Sequence, residues 1–435
     1  MISRRERWSY AAGDLGFNFV WQSVELYLLF YYIRGLGIAP EVASAIFLVG
    51  AAVDWVIDPL VGTLVDRAAP RIPLRLWVLA GGPVSVLFLA LAFAPVPLSP
   101  GWVPVVALGT YLALRAAYGV GNIPYGALTA RISAAPKDHL ALTSARMQGA
   151  AIGGLVAALI FAFLPSTETV VDFRRGALLL AALALPAFLA TYFGVRERVV
   201  APRQPLGAEL GSPWQTARVT IGLLRRSAAL RRLLATILAA GLAITVINKS
   251  LLFLFDEVGA LRLGYYVALA PAASLLLTTP LWAALGMRLG RSRTLLLAAL
   301  LNVAATVLAM MSGGVPALVV LTCVAIVAGC GMSVMFWSLV PAAVADCERQ
   351  LASMGCAGRV YALANISRKL AQALAPTVVA LTLAGTAIST LTGMMASAIV
   401  AMVVVLLYRP RDRASDGTVP RTGFAFAFDT QGRRE

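Results

Sequence analysis

Asp54 and Asp58 stand four residues apart in the run Ala45 to Arg67, AIFLVGAAVDWVIDPLVGTLVDR, which is long and apolar enough to cross a bilayer. A carboxylate at membrane depth is costly, so it persists where it faces a partner or a water-filled path. On a helix, residues i and i+4 share one face, about 5–6 Å apart. Like charges that close repel unless a cation sits between them or one takes a proton. The spacing therefore predicts a Na⁺ or H⁺ site, and cation-coupled passage of a solute across a membrane is its leading chemical reading.

Other polar residues fall within apolar runs. Glu25 lies seven residues after Asn18, so both can face one cavity. Lys249 sits deep in AITVINKSLLF; with Lys137 and Lys369 it is one of only three lysines in an arginine-rich chain. A desolvated lysine serves as a compact cation or a proton acceptor. Arg115 and Arg146 could bridge to Asp54, Asp58 or Glu25, either as working groups or as ion pairs that hold helices together. Tyr27, Tyr118, Tyr125, Trp55 and Trp337 could stack on a sugar or another ring, whereas Tyr31 and Tyr32 read better as interfacial aromatics.

The elements that must carry these residues are membrane spans. The chain is 60% hydrophobic and 13% charged, against about 25% charged in soluble domains, and its mean hydropathy is +0.83. Twelve helices are expected near 9–34, 41–65, 75–96, 102–130, 141–164, 175–195, 231–255, 263–287, 293–312, 316–345, 359–385 and 388–408. Met1–Tyr10 is basic and merges into a full-length first span, unlike a cleavable signal. Pro59, Pro124, Pro341 and Pro376 are expected to kink their spans. Gly149, Gly153 and Gly154 are expected to let span 5 pack closely on a neighbour.

A net charge of +16 would suggest nucleic acid in a soluble chain. Here Arg4, Arg5, Arg7, Arg67, Arg71, Arg75, Arg131, Lys137, Arg288, Arg291, Arg293, Arg409, Arg411 and Arg413 all fall on one set of links. The opposite links hold little beyond Arg34, Arg174, Arg175 and Arg262. Basic residues accumulate on the cytoplasmic side, so both termini are expected inside, and a nucleic-acid patch is not. Cys323, Cys330, Cys347 and Cys356 make no CxxC and no metal framework. The single histidine, His139, reads as a solvated residue of a cytoplasmic loop. No phosphate loop, metal triad or nucleophile elbow marks an enzyme, and no cofactor is expected beyond the coupling ion.

The organisation is two halves: a six-helix bundle over 1–196, a cytoplasmic linker over 197–232, a second bundle over 233–408, and a polar tail over 409–435 expected to be disordered. Within the linker, Pro213 to Arg226 could form an amphipathic surface helix. PLVGTLVDR at 59–67 matches PLWAALGMR at 280–288, and Asn122-Ile-Pro-Tyr125 is similar to Ser333-Val-Met-Phe336. Such parallel repeats suit transporters that bind solute at mid-membrane between halves.

These motifs resemble the major facilitator superfamily. Gly62-x-Leu64-x-Asp66-Arg67, then Arg71, is similar to its loop 2–3 signature, which implies that Asp66 and Arg67 form a conformational latch. A narrower resemblance is to the melibiose permease-like glycoside–pentoside–hexuronide:cation symporters. It rests on SYAAGDLGFNFVWQSVELYLLFYY, Asp54-x-x-x-Asp58-Pro59, Asn122-Ile-Pro-Tyr, Phe336-Trp337 followed by Asp346, and Lys369, and covers nearly the whole membrane domain. It implies cation binding by Asp54 and Asp58 (as metal ligands if the ion is Na⁺), and an approach to substrate by Arg146, Trp337 and Lys369. Departures stand beside it. The family's sugar-holding acids fall at Asn18 and Asn122, an aromatic platform at Gly126, and two cation-site neighbours at Ile57 and Gly119.

The resulting expectation is an all-α, twelve-helix major facilitator fold, N-in and C-in, in a bacterial inner membrane. It acts as a monomeric H⁺- or Na⁺-coupled symporter of a sugar, glycoside or hexuronide-like solute. Asn18, Glu25, Asn122, Tyr125, Arg146, Trp337 and Lys369 are the expected substrate residues. A carrier of lysolipids or other amphiphiles, or a non-transporting sensor on the same fold, is the alternative.

Overall fold

The structure, a computed structural model, describes residues 2–68, 71–133, 135–164, 170–199, 222, 224–225, 227–351, 357–384 and 389–408. The expected amphipathic helix (Pro213 to Arg226) and the tail lie almost wholly outside these residues. The elements are helices. In chain order they are α1 (Arg4–Ser23), α2 (Pro40–Ala68), α3 (Leu74–Ala92), α4 (Val103–Ile132), α5 (Pro136–Phe163), α6 (Val170–Gly194) and α7 (Ala228–Glu257). Then come α8 (Leu261–Val267), α9 (Ala270–Leu289), α10 (Arg291–Met311), α11 (Val315–Leu351), α12 (Ala357–Ala384) and α13 (Thr390–Leu407).

Ser3 caps α1, its hydroxyl accepting from the Glu6 amide at 3.1 Å, which satisfies one of the free N–H groups of the first turn. The helical run continues beyond Ser23 through two π-type turns, Val24–Leu28 and Tyr31–Gly35. Each widens the helix by one residue per turn and re-aims the side chains beyond it, a feature common at functional sites. The expected helix at 263–287 is broken. α8 stops at Val267 and α9 restarts at Ala270, with Pro271 in its first turn, where a missing N–H costs nothing. His139, expected in a loop, lies on the first turn of α5, its ring bonded to the Ser133 carbonyl.

Among the described residues, ten helical segments are long and apolar enough to span a membrane. The α1 run and α12 are the other long segments. They carry more charge, including Asp14 and Glu25 in one and Arg368 and Lys369 in the other. Outward faces are apolar: Val56, Leu60, Leu277, Leu281, Met311 and Leu407 are all exposed. Helix α7 is the most enclosed, with 78% of its apolar span buried.

Two bundles result. In the first, α1 lies on α5 and α6, and α3 on α4 and α6; in the second, α7 lies on α11, α12 and α13. The glycines of α5 explain the close fit on α1. A Cβ at Gly149 would collide with the Ala11 carbonyl oxygen, and one at Gly153 would sit 2.7 Å from that of Leu15. Between bundles, α2 packs on α12, α5 on α8 and α9, and the first π turn on α7.

The seal between bundles lies at one end. Where the α1 run and α7 finish, Tyr27 stacks on Tyr265 at 6.0 Å, Phe30 meets Phe253 at 5.0 Å, and Arg34 pairs with Asp256 at 2.8 Å. The buried aromatics of both halves form one core there. Near the start of α7, by contrast, Leu230, Leu233, Ile237, Met335 and Val360 belong to a core built from the second half alone.

Candidate functional site

Four acids meet four bases in pairs that join different helices, two within the first bundle and two between the bundles. Asp54 on α2 is held by Arg115 on α4 through two parallel contacts, Nε donating to Oδ1 at 3.1 Å and Nη2 to Oδ2. This is the fork geometry that makes guanidinium–carboxylate pairs strong. Arg115 also donates to the Tyr111 hydroxyl at 2.9 Å and lies over the Trp21 ring. Asp58, one turn further along α2, accepts from Lys369 Nζ on α12. Glu25, in the first π turn, pairs with Lys249 on α7 at 3.3 Å, and Lys249 also donates to the Glu25 carbonyl at 3.1 Å. Asp14 on α1 accepts from Arg146 Nε on α5 at 3.1 Å.

Three of these pairs converge. Glu25, Asp54, Arg115, Lys249, Lys369 and Gln372 line one cavity of about 20 Å³, with Trp21, Phe47 and Tyr111 among its walls. That volume holds about one water molecule. The i, i+4 acids thus share a helix face, as their spacing predicts, but each has its own cationic partner. The two partners also differ in kind. Asp54 is tied within the first half and is buried; Asp58 is tied across the halves and is about 30% exposed.

The remaining expected substrate residues are placed as follows. Asn18 is half-buried, and its amide donates to the Asp14 carbonyl at 2.8 Å. Asn122 and Trp337 are half-buried, and Trp337 lies beside Phe336. Tyr125 is fully buried. Its hydroxyl donates to the Tyr10 carbonyl at 2.7 Å, and its ring lies under Arg146 at 5.2 Å. In this conformation it supports Arg146 and does not open on the cavity. Tyr27, Tyr31 and Tyr32 are likewise fully buried, and Trp55 is exposed. The side chains of Asp66 and Arg67 lie outside the described residues.

Two of the departures noted above acquire a geometry. A Cβ at Gly126 would lie 3.6 Å from Arg146 Nη1, so a large ring there would contest the place of the guanidinium. A Cβ at Gly119 would lie 3.5 Å from Asp58 Oδ1, with room to spare. Sequence reasoning overlooked Asp14, although it stands one helical turn before Asn18 in an apolar run. It also overlooked Arg368 and Gln372 on α12. A second cavity, about 150 Å³, lies within the second half among Ile244, Asn248, Leu275, Ile326, Cys330 and Ser333.

Comparison with known proteins relates the chain to transporters. A family profile described as "MFS/sugar transport protein" matches residues 9–410. The chain is 36% identical to "Uncharacterized symporter YnaJ" of Bacillus subtilis (strain 168), over 38% of this chain and 37% of that protein. It is 28% identical to "Glucuronide carrier protein homolog" of Escherichia coli (strain K12), over 86% of this chain and 82% of that protein. The chain spans less than half the length of the first curated relatives it matches. Among solved structures, the nucleoside transporter NupG superposes with a TM-score of 0.64 at 16% identity, over 93% of this chain and 98% of that one. At that identity the likeness concerns the fold alone.

Proposed function

Because this chain belongs to the MFS/sugar transport protein family, consistent with the glycoside–pentoside–hexuronide:cation symporters its motifs resemble, we propose that it is a cation-coupled secondary symporter of a sugar, glycoside or hexuronide-like solute. It is a multi-pass integral protein of the bacterial inner membrane; relatives carry the names of symporters, one of them an inner membrane symporter of Escherichia coli. The matched family is named for transport, and on this reading the chain catalyses no reaction. On this reading the α1 run and α12 complete twelve spans. Both termini face the cytoplasm, in keeping with the clustering of arginines on one set of links. The protein works as a monomer, and Asp66 and Arg67 act as a latch at the cytoplasmic end of α2.

The observation that carries the proposal is the Asp58–Lys369 bond between halves, beside the Asp54–Arg115 pair. A carboxylate occupied by a lysine cannot hold a coupling ion at the same oxygen. A proton or Na⁺ arriving at Asp58 therefore displaces Lys369 and removes a tie between α2 and α12. Solute held between the bundles then completes the movable state, an anionic solute also balancing the one positive charge that the cation brings, and the halves rock about it. The aromatic seal where α1 and α7 finish marks a conformation closed at that end, the outer one under the N-in topology.

The test is reconstitution of the full chain into liposomes, with an inward H⁺ or Na⁺ gradient imposed separately. Uptake of labelled methyl glycosides and methyl β-D-glucuronide should exceed equilibration under one gradient. Uptake that stops at equilibrium under both gradients, for all these solutes, would sink the symport reading.

A further inference from the structure

Among the described residues, the four ion pairs of the candidate site leave Arg368 over. Arg115, Arg146, Lys249 and Lys369 are each matched to an acid: Asp54, Asp14, Glu25 and Asp58. Arg368, the neighbour of Lys369 on α12, is half-buried. Among the described residues it makes no hydrogen bond and no ion pair. Yet it is not turned out to lipid. It lies within electrostatic reach of Glu25 on the first π turn and of Tyr118 on α4, both in the opposite half of the molecule. Tyr118 is in turn within reach of Asp14, Arg146 and Arg115. Lys369 beside it and Gln372, one turn further along the same face of α12, both line the cavity between the halves, so Arg368 stands at the edge of that space.

A guanidinium inside a membrane protein without a counter-ion is expensive. Glu25, the acid within reach, is already engaged by Lys249 through its carboxylate and its carbonyl. The surroundings suit a sugar acid. Trp21 lines the cavity and Tyr118 lies 5.7 Å from it, so two aromatic rings stand beside the charge for the apolar side of a sugar ring. A guanidinium presents a planar fork of N–H donors that matches a carboxylate with two parallel bonds. We propose that Arg368 is a specificity-determining residue of the solute site, taking the carboxylate of an acidic sugar. This rests on the symport reading for its physiological meaning but not for its test. In this conformation Arg146 and Lys369 are each paired with an acid, whereas among the described residues Arg368 is not.

Equilibrium binding to the purified full chain, without any gradient, tests the assignment. The probes are methyl β-D-glucuronide and its neutral counterpart methyl β-D-glucoside. Wild type should prefer the glucuronide by about 10- to 100-fold, the size of a charge-assisted hydrogen bond. Arg368→Gln should abolish that preference and leave glucoside binding within about twofold of wild type. Arg368→Lys keeps the charge but loses the fork, and should retain a reduced preference. It also covers the case in which the glutamine variant does not fold. No preference in wild type, or a preference that survives Arg368→Gln, overturns the assignment. Selective binding without gradient-driven uptake would uphold Arg368 and reject symport, so the two failures are distinct.

Discussion

Lys369 Nζ, carried by the second half of the chain, bonds Asp58 Oδ2 in the first half, across 311 residues of sequence. One turn away on the same helix, Asp54 is bound within its own half by Arg115. Two like carboxylates on one helical face thus belong to different ties, one within a bundle and one between bundles. In the rocking motion proposed above, Asp54 travels with its partner, whereas Asp58 parts from its own.

Asp58→Asn should therefore abolish uphill accumulation while leaving downhill exchange partly intact. The amide keeps the shape of the site but cannot exchange Lys369 for a coupling ion. The measurement is uptake against counterflow in the same liposomes. Unchanged accumulation in both Asp54→Asn and Asp58→Asn would remove the coupling role of the pair.

Among the described residues, Glu25 and Lys249 form the most enclosed inter-half ion pair, with side chains 11% and 2% exposed. Removing one partner strands a buried charge, so Lys249→Met should cost about 3–5 kcal/mol. Adding Glu25→Gln should recover most of the loss, because no charge is then left unpaired. Thermal unfolding of the two single variants and the double variant reads this directly. Additive losses would show that the two residues stabilise the protein independently.

The room beside Asp58 invites an added ligand. Gly119→Ser should fold normally, since its Cβ meets nothing closer than 3.5 Å. Its hydroxyl would supply an oxygen near the carboxylate, and Na⁺ prefers several oxygen ligands. We expect the serine variant to respond more strongly to Na⁺ than wild type does. The check is to compare transport at fixed pH with and without Na⁺, and an identical Na⁺ response in both proteins contradicts the expectation.

Close packing of α5 on α1 makes Gly149 intolerant. Gly149→Ala places a methyl group against the Ala11 carbonyl oxygen and should destabilise by about 1–3 kcal/mol through overpacking. Gly109→Ala on α4, where nothing lies within 4 Å, should be neutral or slightly stabilising, as expected for a helical glycine replaced by alanine. Denaturation midpoints of the two variants should fall on opposite sides of wild type or nearly so.

Topology is open to labelling. In a protein whose native cysteines have been changed to serine, Ser99→Cys should react with an impermeant maleimide from outside the cell. Ala135→Cys should react only after the membrane is opened; both positions are exposed. Reversed access at the two sites would invert the N-in, C-in assignment.

The helices themselves were legible in the sequence. Runs of apolar residues about twenty long have few alternatives in hydrocarbon, where backbone groups must be satisfied internally. The predicted segments therefore correspond to helices, apart from the break at Ala268–Leu269. The sequence alone also determined that Asp54 and Asp58 share a face, since a helix permits no other arrangement at i and i+4. It could not reveal the π turns around Glu25, because an i→i+5 turn is stabilised by neighbours and has no residue signature. Nor could it choose partners for the buried charges. Arg146 was a candidate for Asp54, Asp58 or Glu25 and instead meets Asp14, in a space that Gly126 leaves clear. Which acid meets which base depends on the rotation and height of helices far apart in the chain. Only tertiary packing sets these, and only packing left Arg368 without a partner among the described residues.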